Sequence, residues 1–156
     1  MNLRTNVFDL WTFRRDSDEP RYLILRTSQE KAHKWFGGGR FWQIPGGFFE
    51  DDEDVVAALR RVLNQLDLPP RSLWVVEHTY TYYNRRRNNL EIISVFAAEV
   101  EGADGVPLTW EHSEYRWAAA SECGEVLLFR GLLEGLEWTR KYVTGQPNPS
   151  PVFRLA

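Results

Sequence analysis

The 156 residues are 43% apolar and 26% charged, with a net charge of −3 at pH 7, a composition expected of one packed domain. The negative balance argues against general electrostatic binding to nucleic acid or to an anionic membrane, and no apolar run approaches the roughly 20 residues of a membrane helix. Cys123 is the single cysteine, so no internal disulfide forms and a reducing, cytoplasmic location is expected.

Taken in chain order, the N-terminal MNLRTNVFDLWTF lacks a charged start followed by an apolar stretch, so no signal peptide is expected. Val7 to Arg14 is rich in β-formers and reads as a strand. Asp16 to Pro20 is a turn by composition, and Arg21 to Arg26 is a second strand, giving a hairpin. Thr27 to Arg40 is polar and ends in Gly37-Gly38-Gly39, the chemistry of a mobile loop. Phe41 to Ile44 is a brief strand and Pro45-Gly46-Gly47 a turn. Val55, Leu59, Val62 and Leu66 recur at helical spacing and predict an amphipathic helix. Asp51 and Asp52 are its candidate N-caps, and Pro69-Pro70 ends it. Leu73 to Tyr83 and Leu90 to Val100 predict a long hairpin with Arg85-Arg86-Arg87 at its tip. Gly102 to Pro107 is a loop and Tyr115 to Ala118 a short strand. Leu127 to Val143 is a single closing helix, and a proline-bearing tail follows Gly145. Cys123 stands in a loop or helix start with no histidine partner for nucleophilic work. The expectation is one domain over residues 1–145 and an extended tail over 146–156. Strands, helix, strands, helix in that order predict an α/β sandwich with a mixed sheet.

The segment Pro45 to Leu68, PGGFFEDDEDVVAALRRVLNQLDL, carries the functional signal. A glycine pair, an acidic stretch and a helix with Ala57, Ala58 and Arg60 resemble the Nudix box, when one residue is deleted between Gly47 and the helix. That box reads G, five residues, E, seven residues, then R-E-U-x-E-E-x-G-U, with U apolar. Phe41 to Pro45 precedes the glycines as in Nudix proteins. Trp110 to Trp117, WEHSEYRW, is similar to the EH-x-x-Y-R/K-W segment of diadenosine tetraphosphate hydrolases and dihydroneopterin triphosphate pyrophosphohydrolases. The resemblance, to MutT-like proteins in general, implies the Nudix α/β/α sandwich with a mixed sheet between helices. It implies pyrophosphohydrolysis of nucleoside di- or polyphosphates with Mg²⁺ or Mn²⁺. Homodimers are frequent in the family, so a homodimer is a further expectation; a membrane partner is not.

The box normally places three glutamates at i, i+3 and i+4, which share one helix face and give a hard divalent cation its anionic oxygens. Here those positions hold Arg61, Asn64 and Gln65, and Asp67 replaces the following glycine. The three positions change from −3 to +1 in formal charge. Read instead without the deletion, Arg61 is the box arginine and the acid positions fall on Val62, Gln65 and Leu66. Neither frame gives a carboxylate trio. The remaining acids, Glu50, Glu53 and Glu111, form the candidate metal set, with Glu53 and Glu111 as the catalytic pair. Arg60 is expected to orient the box by internal pairing. Gly46, Gly47, Arg61, Asn64, Gln65 and Arg86 are the candidate phosphate and substrate contacts, since a guanidinium binds phosphate in bidentate fashion without metal.

The expectation is therefore a Nudix protein of the pyrophosphohydrolase lineage with catalysis weak or lost. The alternatives are a non-catalytic nucleotide-binding or regulatory module and an RNA-binding Nudix relative. The latter would use Arg85 to Arg87 as a clamp and Tyr80, Tyr82 and Tyr83 as stacking platforms. His33, His78 and His112 have no metal-ligand spacing; His112 adjoins Glu111. Trp35, Trp42 and Trp110 read as packing residues. The glycines before Arg40 lack the Lys-Ser/Thr of a Walker loop.

Overall fold

The computed structural model describes residues 1–102 and 105–156. Of the loop expected over Gly102 to Pro107, residues 103 and 104 lie outside the described residues. The strands are β1 (Asn2–Arg14), β2 (Arg21–Thr27), β3 (Trp42–Gln43), β4 (Gly46–Phe48), β5 (Pro70–Asn84), β6 (Asn89–Val100) and β7 (His112–Ala118). The α-helices are α1 (Gln29–Trp35), α2 (Val55–Gln65), α3 (Ala120–Val126) and α4 (Arg130–Thr139).

The long strand β1 organises the sheet by changing partners. Its end pairs antiparallel with β2 at Phe13↔Tyr22, the expected hairpin. Its middle takes the glycine strand β4 instead, at Val7↔Phe48, Phe8↔Gly47 and Asp9↔Gly46. On its other side it runs parallel to β6 from Asn2↔Asn89 to Phe13↔Glu99. β6 and β5 form the predicted hairpin, and β2 also carries β3 and β7. The sheet is thus mixed, as expected. The glycine at position 46 is a steric requirement, because a Cβ there would stand 2.5 Å from Phe8 O.

Alternation along β1 sends side chains to two cores. Phe8 and Leu10 pack on one face with Ala58, Leu59, Val62 and Leu63 of α2. Trp11 and Phe13 pack on the other with Leu132 and Leu136 of α4 and Cys123 of α3. Each fully buried apolar side chain contributes roughly 1.5–3 kcal/mol relative to exposure, so a sheet with two apolar faces demands helices on both. The result is the expected α/β/α sandwich.

Five local features differ from the sequence reading. The glycine pair expected in a turn is strand β4, because β1 offers it a backbone edge. The stretch expected to be a mobile loop contains α1, whose N-cap Ser28 accepts from Lys31 N at 3.0 Å. Gly37 and Gly38, at φ +61° and +84°, carry the chain out of it. The N-cap of α2 is Asp54, not Asp51 or Asp52; its carboxylate accepts from Val56 N at 2.7 Å. Asp52 instead occupies a left-handed conformation at φ 60°. The single closing helix is two: extended backbone at Leu127 and Phe129 separates α3 from α4. α4 then loosens into a π-turn over Arg140–Thr144, where Tyr22 Oη and Thr144 Oγ1 are 2.7 Å apart. Finally, the tail is docked. It forms a 3₁₀ turn over Pro151–Phe153, and Leu155 N donates to Leu73 O at 2.8 Å.

Candidate functional site

The glycine strand β4 delivers the chain to the N-terminus of α2 through the acidic stretch Phe49 to Asp54. Asp54 starts the helix by supplying an acceptor for two otherwise orphaned amides. About two turns later Arg61 turns back over this stretch. Its Nε donates to Glu53 Oε2 at 2.9 Å, and its Nη2 donates to Glu53 Oε1 at 2.8 Å and to Phe48 O at 2.7 Å. Glu50 Oε1 lies 3.8 Å from the same guanidinium. Glu53 Oε1 also accepts from Glu50 N at 3.1 Å. Arg61 thereby pulls the Glu53 carboxyl down to about 2, with the Glu50 amide adding to the effect. The Arg61 guanidinium is pushed up in turn by Glu53.

This arrangement corrects one assignment. Internal pairing belongs to Arg61 and not to Arg60, which is exposed and makes no side-chain hydrogen bond or ion pair among the described residues. Neighbouring helical residues point about 100° apart, and residue 61 is the one phased toward Phe48 and Glu53. The contact agrees with counting straight from Gly47 through Glu53 to Arg61. Asp67 agrees with the deletion frame, since its φ of 57° is the left-handed conformation a glycine there would serve. Under either count the helix offers no carboxylate. Asn64 and Gln65 are exposed, Leu66 is half-buried and Val62 is buried.

The residues on this helix therefore do not fit a divalent cation. Amide oxygens are neutral, Arg61 is a permanent cation, and Glu53, the nearest acid, spends both oxygens on it. The structure brings Glu50 and Glu53 together, but places Glu111 elsewhere, with Oε1 3.4 Å from Lys31 Nζ. Among the described residues no three Asp, Glu, His or Cys side chains gather as a metal cluster. What α2 does line is an open groove of about 520 Å³, walled by Arg60, Arg61, Asn64 and Asp67 of the helix end and by Pro69 and Pro70.

The EH-x-x-Y segment sits on the far side of β2. Ser28 N donates to Glu111 O at 2.8 Å, which ties α1 to the start of β7. Gln43 Nε2 donates to His112 Nε2 at 2.5 Å. Burial, with Lys31 assisting, pushes the His112 imidazole down to about 4, so it is neutral near pH 7. Arg40 donates to Thr27 O and to Ser113 Oγ.

The hairpin arginines reach across to both of these regions. Arg86 Cζ stands 3.8 Å from the centroid of Trp35 on α1, and Trp35 meets Trp110 edge-on at 5.6 Å. Arg87 Cζ stands 4.9 Å from the Phe48 ring on β4, where Arg4 also lies, at 5.7 Å. Trp35 and Trp110 thus pack, as expected, but on each other at the surface. Sequence reading missed Lys31 and Gln43, whose partners Glu111 and His112 it had noticed. It also passed over Asp9 of β1 and Glu91 of β6.

The comparisons with known proteins agree with this architecture. The chain spans 92% of its length on a C. elegans Ap4A hydrolase in a binary complex, covering 99% of that chain at TM-score 0.70 and 18% identity. It spans 94% on the E. coli dihydroneopterin triphosphate pyrophosphohydrolase, covering all of that chain (100%) at TM-score 0.66 and 16% identity. It spans 92% on the NUDIX domain of Shewanella oneidensis NrtR complexed with ADP ribose, covering 90% of that chain at TM-score 0.69 and 18% identity. Identities this low speak for the fold. Compared with curated proteins, the sequence matches none. The NUDIX domain model matches residues 4–142, and with nearly the whole chain inside that match, the protein belongs to the Nudix family.

Proposed function

We propose that this Nudix domain binds a nucleoside di- or polyphosphate and hydrolyses its pyrophosphate bond slowly or not at all. The observation that carries this reading is the double hydrogen bond from Arg61 to Glu53. It commits the Glu53 carboxylate to Arg61 and leaves Arg60 as the cation on α2 with no side-chain partner among the described residues. A polyphosphate brings the opposite charge. Exposed Arg60 and the free amide of Asn64, both walls of the groove, are suited to a phosphate without a bridging metal. Nucleotide-like ligands are the family's business, and the NrtR domain holds ADP ribose. The loss of a positioned base alone lowers rates on the order of 10²–10⁴. The reading therefore extends to a non-catalytic binding or regulatory module. The RNA-binding alternative is less well supported, because Arg86 and Arg87 already cover the rings of Trp35 and Phe48.

The test is a panel of nucleoside di- and triphosphates and dinucleoside polyphosphates, each with and without Mg²⁺ or Mn²⁺. Phosphate release and thermal stabilisation are measured together. The expected result is stabilisation without metal, lost in Arg60→Ala, and turnover at or near background. Fast, metal-dependent turnover that disappears in Glu111→Ala would sink the proposal and restore Glu50, Glu53 and Glu111 as metal ligands.

A further inference from the structure

β5 is an edge strand of the sheet, with β6 on one side only. Such an edge presents a row of N–H and C=O groups that a further strand can take. The two halves of this edge are treated differently. In the first half the docked tail supplies the extra backbone. Leu73 N donates to Ala156 O at 3.0 Å, Leu155 N donates to Leu73 O at 2.8 Å, and Arg154 pairs antiparallel with Trp74. The register with β6 then breaks between Val75 and Thr79, where three residues of β5 face Val95 alone. Beyond that bulge, among the described residues, no backbone group outside β6 bonds the backbone of Thr79 to Tyr83.

This second half is built for pairing. Thr79, Thr81, Tyr82 and Tyr83 are exposed, and β-branched and aromatic residues are those that suit a strand surface. No lysine, proline or other charge interrupts Thr79 to Tyr83, although these are the usual devices that blunt an edge. The strand is also fixed from within. Tyr80 Oη donates to Asp9 Oδ2 at 2.5 Å, to a carboxyl that burial pushes up to about 6 against the pull of that hydrogen bond. Gly131 brings α4 down on the same ring, where a Cβ would come within 2.2 Å. An edge already held in its strand conformation loses little entropy on pairing.

We propose that the edge from Thr79 to Tyr83 pairs with the same segment of a second copy, in an antiparallel dimer whose twofold axis passes at Thr81. Side chains and charge select this occupant and this register. Pairing about Thr81 sets Thr81 against Thr81, Tyr80 against Tyr82 and Thr79 against Tyr83, cross-strand pairs of the kind that stabilise sheets. It also carries Glu77 of each copy toward Arg85 of the other. Both residues are exposed, and neither makes an ion pair or a side-chain hydrogen bond among the described residues. Parallel pairing in the same register would set Glu77 against Glu77 and Arg85 against Arg85. The antiparallel contact is isologous, so it consumes the bare edge of both copies and closes. Five paired residues a side make an interface at the small end, below about 1,200 Å², so the dimer is a reversible one.

The experiment is sedimentation velocity of the intact chain over a wide range of concentration. The parent is expected to pass from monomer to dimer as concentration rises. Thr81→Lys sets two like charges face to face at the axis and should weaken the dimer several-fold. Glu77→Arg and Arg85→Glu should each weaken it, and the double variant should regain what either one loses. Should Thr81→Lys fail to fold, these reversals at two exposed positions carry the same decision. Thr81→Cys reads the register directly. Under mild oxidation it should give a disulfide-linked dimer, whereas the parent, whose Cys123 is buried, should give none. A monomer at every concentration overturns the proposal, as does a dimer indifferent to Thr81→Lys. Failure of the double reversal to restore association, absence of the Thr81→Cys cross-link, or growth beyond the dimer overturns it equally.

Discussion

The acids at the start of α2 and the acids set into the sheet, Asp9 and Glu91, are treated in opposite ways by the same fold. At α2 the carboxylates are at the surface and are neutralised: Glu53 by two donors from Arg61, Asp54 by helix amides. In the sheet Asp9 and Glu91 have no cation in ion-pair range among the described residues, and a tyrosine and an asparagine are their hydrogen-bond partners. Paired charge is stable and chemically quiet. Unpaired, desolvated charge stores free energy that a ligand can release. The difference lies in the partners: a guanidinium for Glu53 and a phenol for Asp9.

The strongest challenge to that contrast is to place an unpaired carboxylate on α2 itself. Val62 is packed against the glycine strand, 3.3 Å from where a Cβ on Gly47 would lie. Val62→Glu buries a charge without a partner and should cost about 3 kcal/mol or more. For a chain of this size that lowers Tm by roughly 6–12 °C, at about 2–4 °C per kcal/mol. Asn64→Glu and Gln65→Glu, on the exposed side, should stay within about 0.5 kcal/mol. Thermal melts of the three variants decide it. Equal tolerance at all three positions would mean that the α2 face toward the glycine strand is open enough to host an acid, and the contrast would fail.

The pH dependence of stability separates the two regions next. Asp9 has a folded pKa of about 6 against 3.8 unfolded, so the folded state binds its proton more tightly. Its contribution is complete below about pH 4 and is lost as pH rises toward 6, on the order of 1–3 kcal/mol after allowance for the accessible part of the residue. Glu53 behaves in reverse. Its folded pKa of about 2 lies below the unfolded 4.5, so its contribution is present above pH 4.5 and is lost as pH falls toward 2. Urea titrations from pH 2.5 to 7 should show a stability loss between pH 4 and 6 that vanishes in Asp9→Asn. The acid limb below pH 4.5 should shrink in Glu53→Gln and in Arg61→Ala, and the second effect is smaller because both groups face solvent. A slope between pH 4 and 6 that survives Asp9→Asn would assign it elsewhere.

Much of this was legible before any coordinates. The stripe of Val55, Leu59 and Val62 located α2, whereas the glycine pair expected in a turn is strand β4, with Gly46 held against Phe8 O. Other parts were hidden for physical reasons. α1 buries only Ala32, so it leaves no apolar period to read. Asp51 and Asp52 were the expected caps, but Asp54 is of the same residue type and the left-handed turn at Asp52 places it at the helix start instead. Arg60 and Arg61 are interchangeable as letters and differ only in helical phase. Asp9 and Glu91 lie eighty-odd positions apart, and only the parallel pairing of β1 with β6 gives them a common face. The expected triad of Glu50, Glu53 and Glu111 was half legible in the same sense. Local spacing joins the first two, whereas the third depends on where α1 puts Lys31.

The smallest expected effect concerns the tip of the β5–β6 hairpin, where it meets α1. Arg86 lies flat on Trp35, and Lys34 Nζ stands 5.2 Å from the same ring and 5.3 Å from Trp110. A guanidinium over an exposed indole is worth about 0.5–1 kcal/mol, which is too little to affect global stability but enough to hold a hairpin tip. Arg86→Ala should therefore leave Tm within about 2–4 °C of the parent. It should also raise amide exchange at Arg85 to Asn88 and shift the fluorescence of a surface tryptophan. If Arg86 holds the tip and does not bind phosphate, nucleotide affinity should fall equally for GDP and UDP, through a faster off-rate. A loss of salt-dependent binding confined to the longer polyphosphates would instead make Arg86 a phosphate ligand. The tip would then belong with the paired charges of α2 and not with the acids set into the sheet.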